Sequence, residues 1–204
     1  MDLINLNNTN FILASGSPRR IEILNNHGLY PKVLPSGADE SLPGRFEPHE
    51  SAMFLAMEKA LWTINNHKLK EKSIVVSADT IVVFKDEILG KPTDETSAYN
   101  MLKALSKGIH AVYTGICIHT VTDGFLCCYG ESIVRFDDLS DSFLREYIKT
   151  SEPYDKAGGY AIQGTFEKYS TLLAGEIDNV IGFPFKVFKE NLLKLANADR
   201  KSVV

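Results

Sequence analysis

The sequence predicts a mixed α/β domain. Its most hydrophobic stretch, "SIVVSADTIVVF" at residues 73–84, is a β-branched run typical of a buried central strand. Helix and strand patterns alternate along the chain, and two long alternating runs lie at residues 110–121 and 125–136. No Pro/Ser-rich linker or internal repeat interrupts the 204 residues, so the length fits one domain or two lobes that share one sheet.

The chain before the central strand predicts two strands and two helices. Residues 10–14 form the first strand, and a helix follows over residues 18–27, with Ser17 as its N-cap and Pro18 as its first residue. The segment "YPKVLPS" predicts a second strand, which ends in the polar loop "GADESLPGRFEP". Apolar residues at helical spacing then predict a long helix over residues 49–67.

The chain after the central strand predicts two paired strands and three further helices. A short turn, "KDEI", leads to "LGKP" and then to a helix over residues 94–106. The two alternating runs predict neighbouring strands joined near residues 122–124. A helix over 140–149, a strand region and a last helix over 184–196 follow, and we expect residues 197–204 to form a flexible tail.

Composition and charge narrow the class of protein. The net charge of −4 and the isoelectric point near 5.7 argue against a broad basic surface for nucleic acid. Three cysteines form no CxxC pair, which favours a reducing compartment and roles in the core. The N-terminus lacks a basic region before an apolar run, and no stretch approaches 18 apolar residues. We therefore expect a soluble, cytoplasmic protein without nucleic-acid or membrane partners.

The segment "LASGSPRR" places two arginines at the start of the first helix, where the helix dipole already carries a partial positive charge. An anion would make that placement favourable. The free amides of the first turn, the Ser15 and Ser17 hydroxyls and the Arg19 side chain would then converge on one phosphate or carboxylate. The alternative is an ordinary capped helix whose arginines pair with Glu22 or reach solvent.

Asp79 stands in the middle of the predicted central strand. An ionised carboxylate in that position is costly unless it is hydrogen-bonded, paired with a cation or bound to a metal. Asp79 is therefore either a structural residue satisfied by Thr80 and nearby amides, or a metal ligand or general base at a bend of the strand.

Two lysines also have unusual surroundings. Lys59 in "LAMEKAL" lies on the same helix stripe as Leu55 and Trp62, where either a buried anion or a snorkelling side chain would accommodate its charge. Lys91 in "LGKPTD" lies between a glycine and a proline. This rigid setting can aim an ammonium at a ligand, although a plain turn lysine fits the pattern equally well.

Two loops carry further candidates. The acidic loop, "SGADE" at residues 36–40, ends in Asp39 and Glu40, for which ordinary solvation is the alternative. The glycine-rich segment "YDKAGGYAIQG" supplies Lys156 and two glycines that let backbone approach a ligand closely. It also supplies Gln163, whose amide both donates and accepts toward a base edge.

All these candidates call for the same partner. Cations at Arg19, Lys59 and Lys91 need several negative charges, and carboxylates at Asp79 and Glu40 in the same site need a divalent metal. A nucleoside triphosphate with bound Mg²⁺ or Mn²⁺ meets both needs.

An ordered series of motifs runs from Phe11 to Leu195: "LASGSPRR", "DE", "LAMEKA", "SADTIV", "GKP", "HAVYTG", "EPYDKAGGYAIQG" and "NVIGFP". Through them the chain resembles the Maf family of nucleoside triphosphate pyrophosphatases. The resemblance implies one Maf-like domain over residues 1–204, with a long central sheet and two lobes around a cleft, related to the inosine triphosphate pyrophosphatases. It also implies a homodimer that hydrolyses a nucleoside triphosphate to the monophosphate and pyrophosphate with a divalent metal.

The resemblance further implies a site drawn from several motifs, namely Ser15, Arg19, Glu40, Lys59, Asp79, Lys91 and Gln163. Arg20 is a further substrate-binding candidate, although neighbouring helix residues point about 100° apart and we expect one arginine to face the phosphates. Either Asp39 or Glu40 is the expected metal ligand beside Asp79. The form "DKAGxYxIQG" resembles the branch that acts on dTTP and UTP rather than on 7-methyl-GTP.

The expected mechanism holds a metal between Asp79, Glu40 and phosphate oxygens, and Asp79 or a water on the metal supplies the nucleophile for the α-phosphorus. Arg19, Lys59 and Lys91 would neutralise the pyrophosphate leaving group. Two alternatives stay open: a regulator of cell division that senses nucleotides without cleaving them, and a pyrophosphatase for modified nucleotides.

Overall fold

The computed structural model describes Leu6, residues 9–120 and residues 124–201. Within these residues the chain forms one mixed sheet of seven strands together with six α-helices, which confirms the predicted mixed α/β class. The strands are β1 (Asn10–Leu13), β2 (Lys32–Val33), β3 (Ser73–Phe84), β4 (Glu87–Leu89), β5 (Ile109–Thr120), β6 (Gly124–Phe136) and β7 (Ser170–Ala174). The helices are α1 (Pro18–Asn26), α2 (Pro48–Asn66), α3 (Glu95–Leu105), α4 (Asp141–Tyr147), α5 (Ile177–Ile181) and α6 (Phe185–Lys201).

The strand order in the sheet is β2-β1-β3-β5-β6-β7, and β4 pairs with β3 off this path. Strand β1 runs parallel to both of its neighbours, so Leu13 lies opposite Val33 of β2 and Val76 of β3. Strand β4 is antiparallel to β3, and β7 is antiparallel to β6. The interior place of β3 explains its mostly hydrophobic sequence, since a strand with neighbours on both edges is largely buried.

The turn after β3 is shorter than the pattern "KDEI" predicts. Lys85 and Asp86 form the whole turn with φ values of 51° and 63°, and Glu87 already pairs with Phe84. Two successive left-handed residues are typical of a two-residue hairpin, which usually carries Asn or Gly at these positions. A Lys-Asp pair gives no such signal, so the sequence does not predict strand β4.

The other elements agree with the predicted order and differ in their bounds. The second strand shrinks to two residues, and the short helix α5 was not predicted. The last helix continues to Lys201 instead of ending at residue 196. The predicted joint near Thr122 lies outside the described residues, as do residues 202–204, and the flexible tail stays a prediction. Within the described part of the chain, no helix combines the length and the apolar character that a bilayer crossing needs.

The chain divides into two compact units. Unit 1 comprises the described parts of residues 1–79, 114–130 and 182–204, and unit 2 comprises residues 80–113 and 131–181. Each unit buries its own hydrophobic cluster. The cluster in unit 1 consists of Ile12, Ala14, Ala56, Ala60, Val75 and Cys117, and that in unit 2 includes Leu102, Leu105, Val134, Phe136, Tyr147 and Phe166. The prediction of two lobes around a cleft concerns how such units face each other, and it stays a prediction.

A close approach in unit 1 fixes helix α2 against strand β5. A β-carbon on Gly115 would lie 2.3 Å from the carbonyl carbon and oxygen of Ala52 and 2.4 Å from the nitrogen of Met53. Only glycine leaves the room that this contact requires, which explains the last letter of "HAVYTG". Because α2 carries Lys59, the contact also fixes the helix from which that ammonium projects.

Candidate functional site

The ammonium of Lys59 joins two carboxylates of unit 1. Its Nζ donates to Asp79 Oδ1 at 2.5 Å and to Glu40 Oε1 at 2.7 Å. The Lys59 and Asp79 side chains are 12% and 10% exposed, whereas the Glu40 side chain is 46% exposed. The structure therefore selects the buried-anion interpretation of Lys59 over snorkelling, and it pairs Asp79 with a cation.

A buried hydrogen bond joins strand β3 and helix α2, the two elements that carry Asp79 and Lys59. Asp79 lies on β3, whose preceding residues are all buried, and Lys59 lies on the facing helix α2. The buried Ser77 hydroxyl donates to the Ala56 carbonyl at 2.5 Å, which ties β3 to α2 next to the pair. One turn along the helix, Thr63 Oγ1 donates to the Lys59 carbonyl at 3.0 Å.

The acidic loop presents Glu40, and not Asp39, to this group. Asp39 is turned toward its own loop, where its carboxylate accepts hydrogen bonds from the Ser41 amide at 3.1 Å and the Ser41 hydroxyl at 2.6 Å. These bonds lower the pKa of Asp39. Glu40 instead reaches Lys59. Of the two carboxylates between which the sequence could not choose, the structure brings Glu40 to Lys59 and Asp79.

The start of helix α1 forms the second part of the group. Ser17 is the N-cap and Pro18 the first residue, as predicted, but the Ser17 side chain makes no capping bond. Ser15 is buried, and its Oγ accepts hydrogen bonds from the Ser17 amide at 3.3 Å and from Arg20 Nη1 at 3.0 Å. Arg20 Nε donates to the Gly182 carbonyl at 2.8 Å, so Arg20 links "LASGSPRR" to "NVIGFP" within unit 1.

The charges of these residues influence one another. Burial lowers the pKa of the Arg20 guanidinium, the Asp79 carboxylate opposes that shift, and the neighbouring Arg19 adds to it. Glu40 also acts on Arg20. Arg19, Arg20 and Lys59 thus bring three cations to the same part of unit 1 as Asp79 and Glu40. Cations gathered at a helix N-terminus suit an anionic ligand.

The donor set also fits a divalent metal. Among the described residues, no group of three or more His, Cys, Asp or Glu side chains is placed to hold a metal ion. Asp79 and Glu40 nevertheless direct carboxylate oxygens at one cationic centre, the Lys59 ammonium. Mg²⁺ typically takes one or two carboxylates and completes its shell with water and substrate phosphate oxygens. Two converging carboxylates therefore suit a metal that arrives with a phosphorylated substrate.

Three predicted site residues lie in unit 2. Lys91 is exposed and directly follows Gly90, whose carbonyl accepts a hydrogen bond from the Gly158 amide at 3.1 Å. Gln163 is exposed. The Lys156 ammonium donates to the Glu152 carbonyl at 2.6 Å and to Asp155 Oδ1 at 2.5 Å. The structure thus packs "GKP" against "AGG" and shows Lys156 bracing its own loop.

The paired glycines of this loop have a packing role that the sequence analysis did not foresee. Gly158 and Gly159 both have φ of 72°, in the left-handed region that disfavours other residues. A β-carbon on Gly158 would lie 3.1 Å from the methyl groups of Val82, and one on Gly159 would lie 3.1 Å from Pro92 Cγ. Both residues are buried, so conformation and packing within unit 2 account for these glycines without a ligand.

His110 of "HAVYTG" and Tyr160 of the glycine-rich segment form a buried pair that the sequence analysis missed. His110 Nε2 lies 2.7 Å from Tyr160 Oη, and both rings lie edge-on to Phe136. Burial lowers the pKa of His110 to about 4 and raises that of Tyr160. The pair therefore connects two of the sequence motifs inside the core of unit 2.

Known proteins resemble this chain over nearly its whole length. The model of the Maf-like protein family matches residues 10–195. The dTTP/UTP pyrophosphatase of Caldicellulosiruptor bescii is 42% identical over 195 residues, which cover 90% of this chain and 94% of the relative. The dTTP/UTP pyrophosphatases of Caldicellulosiruptor saccharolyticus and Clostridioides difficile are each 40% identical and cover 90% and 91% of this chain and 94% of their own lengths.

Among solved structures, the Staphylococcus aureus Ham1 protein is similar over 93% of this chain and 98% of its own. Its TM-score of 0.48 and identity of 12% are too low to support a conclusion about fold or activity. The family match and the curated relatives are decisive instead: this chain belongs to the Maf-like protein family.

Proposed function

We propose that this protein hydrolyses nucleoside triphosphates, with dTTP and UTP as its substrates, to the nucleoside monophosphate and pyrophosphate. The observation that carries the proposal is the convergence of Asp79 and Glu40 on Lys59 beside the arginines of helix α1. Relatives that share 40% to 42% of the aligned residues are named dTTP/UTP pyrophosphatases, which supports the choice of substrate.

Glu40 and Asp79 would hold the divalent metal, Mg²⁺ or Mn²⁺, that we propose as the cofactor. When bound, such a metal neutralises charge on phosphate oxygens and makes the phosphorus more electrophilic. Lys59 lies between the same two carboxylates, and its hydrogen bonds keep them oriented toward one point. Preorganisation of this kind lowers the cost of assembling the site when substrate arrives.

In the proposed reaction a water oxygen attacks the α-phosphorus and the bond from that phosphorus to the bridging oxygen breaks. The Asp79 carboxylate accepts the proton of the attacking water, and pyrophosphate leaves. The hydrogen bond from Lys59 holds the Asp79 carboxylate in position for this transfer. We propose that the Lys59 ammonium also offsets the negative charge that develops on the phosphates.

The arginines of helix α1 complete the anion site. We propose that Arg19 binds phosphate together with backbone amides of the first turn. Arg20 donates hydrogen bonds to Ser15 and Gly182, and the first of these holds Ser15 in place for the contact with phosphate that we propose. The roles of Lys91, Lys156 and Gln163 stay predictions from the family resemblance. Lys91 would neutralise the leaving group, Gln163 would bind the base, and Lys156 would help to bind the substrate. Single substitutions of these residues test them.

Two further proposals follow from the family. We propose that the protein is a homodimer, and sedimentation equilibrium at micromolar concentration measures that state directly. We also propose a cytoplasmic location, with no nucleic-acid or membrane partner, as the composition predicts. Fractionation of cells that express the natural protein tests the location.

The experiment that tests the activity measures pyrophosphate release from dTTP, UTP, CTP, GTP, ATP and 7-methyl-GTP, with Mg²⁺ or Mn²⁺. Cleavage of dTTP and UTP in preference to the others is the expected result. A protein that binds these nucleotides and leaves them intact after prolonged incubation would be a nucleotide sensor, and the proposal would be wrong. Faster cleavage of modified pyrimidine nucleotides than of dTTP and UTP would indicate a pyrophosphatase for modified nucleotides instead.

A further inference from the structure

The backbone of the acidic loop lies directly against the indole ring of Trp62. A β-carbon on Gly37 would lie 2.9 Å from Cζ2 and 3.2 Å from Cε2 of this ring. Real β-carbons essentially never approach so closely, so a side chain at residue 37 would force the loop or the ring to shift. Gly37 is outside the left-handed region, so this conflict is with the ring and not with the backbone conformation.

The acidic loop is also braced from within. The Ser36 hydroxyl accepts a hydrogen bond from the Ala38 amide at 3.0 Å, and the Asp39 carboxylate accepts bonds from Ser41. Turns of this type fix the backbone over three or four residues. The two turns enclose Gly37 and Glu40, so we expect a displacement at Gly37 to move Glu40 as well.

Trp62 and Lys59 lie on the same helix. They are three residues apart on α2, a spacing that places their side chains next to each other on one helix face. The ring supports the start of the acidic loop, and the ammonium meets its end at Glu40. One rigid helix thus sets both the position of the loop and the charge to which Glu40 is bound.

We propose that Trp62 is a positioning residue whose indole seats the acidic loop and thereby sets where Glu40 meets Lys59 and Asp79. The proposal rests on the proposed function in so far as Glu40 serves as the metal-holding carboxylate. It adds a residue that neither charge nor metal-ligand chemistry identifies, because an indole offers a surface rather than a ligand.

A matched pair of glycine substitutions tests whether the contact with Trp62 positions the acidic loop. Gly37→Ala forces the loop or the ring to move, whereas Gly44→Ala, in the same connection between β2 and α2, meets open space within 4 Å. We expect Gly37→Ala to raise the Mg²⁺ concentration for half-maximal dTTP cleavage by about 10- to 100-fold. Gly44→Ala should match the wild type. Equal Mg²⁺ requirements in all three proteins would overturn the proposal.

Fluorescence gives a readout that needs no substrate. The chain contains a single tryptophan, so its emission reports Trp62 directly. We expect Gly37→Ala to shift this emission and Gly44→Ala to leave it unchanged. If the wild type cleaves no nucleotide but the two variants still differ in emission, the contact between the acidic loop and Trp62 is supported and the proposed function is wrong. Identical emission in the two variants would contradict the proposed contact between the loop and Trp62, whether or not the protein cleaves nucleotides.

A double-mutant cycle separates positioning from general stability. If Trp62 acts through Glu40, then Trp62→Ala should raise the Mg²⁺ requirement in the wild type but add almost nothing in a Glu40→Gln background. Trp62→Phe keeps an aromatic surface, so it should raise the Mg²⁺ requirement less than Trp62→Ala does. Equal losses from Trp62→Ala in both backgrounds would show that the ring acts elsewhere, and the proposal would be wrong.

Discussion

Lys59 of helix α2 donates a hydrogen bond to Asp79 of strand β3 across 2.5 Å, and both side chains are about one-tenth exposed. A buried carboxylate that keeps its charge needs such a partner, because desolvation without one costs several kcal/mol. The same ammonium reaches Glu40 from the acidic loop. Stability and the candidate chemistry therefore depend on one side chain.

Removal of the Lys59 ammonium should destabilise the protein. In Lys59→Met the Asp79 carboxylate stays buried without its hydrogen-bonded cation, and we expect a loss of about 3 kcal/mol in the free energy of unfolding in urea. The matched control is Lys103→Met, which breaks the ion pair with Asp141, whose two side chains are 50% and 58% exposed. That change should cost much less stability than Lys59→Met, because solvent screens an exposed ion pair.

A second substitution checks the cause of this loss. Asp79→Asn in the Lys59→Met background removes the unpaired charge, so part of the lost stability should return while activity stays absent. Equal free energies of unfolding for Lys59→Met and Lys103→Met would show that the buried pair does not stabilise the fold.

The two adjacent arginines of helix α1 should respond in opposite ways. Arg19→Ala removes a positive charge beside the helix N-terminus and beside Arg20, so the ligand-free protein should gain about 0.3 to 1 kcal/mol while catalysis weakens. Arg20→Ala removes the hydrogen bonds to Ser15 and Gly182 and should cost about 1 to 3 kcal/mol. Melting temperatures without ligand compare the two variants. A fall for Arg19→Ala would count against the anion site.

Much of this site could be predicted from the sequence, because charge in an apolar setting is a strong signal. Asp79 in the central strand and Lys59 on an apolar stripe each demanded a partner, and the structure makes them partners of each other. The choice between Asp39 and Glu40 could not be predicted. Adjacent carboxylates in a loop have the same chemistry and no periodicity, and the bonds from Ser41 decide which one turns away.

Contacts that depend on shape were also beyond the sequence. Gly115 marks where the backbone of α2 meets strand β5, and Gly37 marks where the acidic loop meets Trp62. A glycine in a strand or loop indicates some special need, but the partner that imposes it comes from the tertiary structure. The strand order of the sheet and the Lys-Asp hairpin turn could not be predicted either, because no local sequence pattern encodes them.

Buried His110 should make stability depend on pH. Its pKa is about 4 in the folded protein, against about 6.5 in an unfolded chain, so the unfolded state binds more protons between these values. The stabilisation by neutral His110 is complete above pH 6.5 and is lost as pH falls toward 4, by about 3 kcal/mol in all. Urea unfolding at several pH values measures this change.

The control for this prediction is His110→Gln, which keeps a polar partner for Tyr160 but does not titrate. The difference in unfolding free energy between wild type and variant should shrink as pH falls from 6.5 to 4. A difference that stays constant over this range would exclude His110 as the titrating group.

The most direct test of the central claim compares kcat/KM for dTTP between the wild type and Asp79→Asn at saturating Mg²⁺, with circular dichroism as the check on folding. The substitution removes the carboxylate that we propose as the acceptor of the proton from the attacking water, and it preserves the shape of the side chain. The account predicts a loss of about 100- to 10,000-fold in a folded protein. Turnover by Asp79→Asn at the wild-type rate would contradict it.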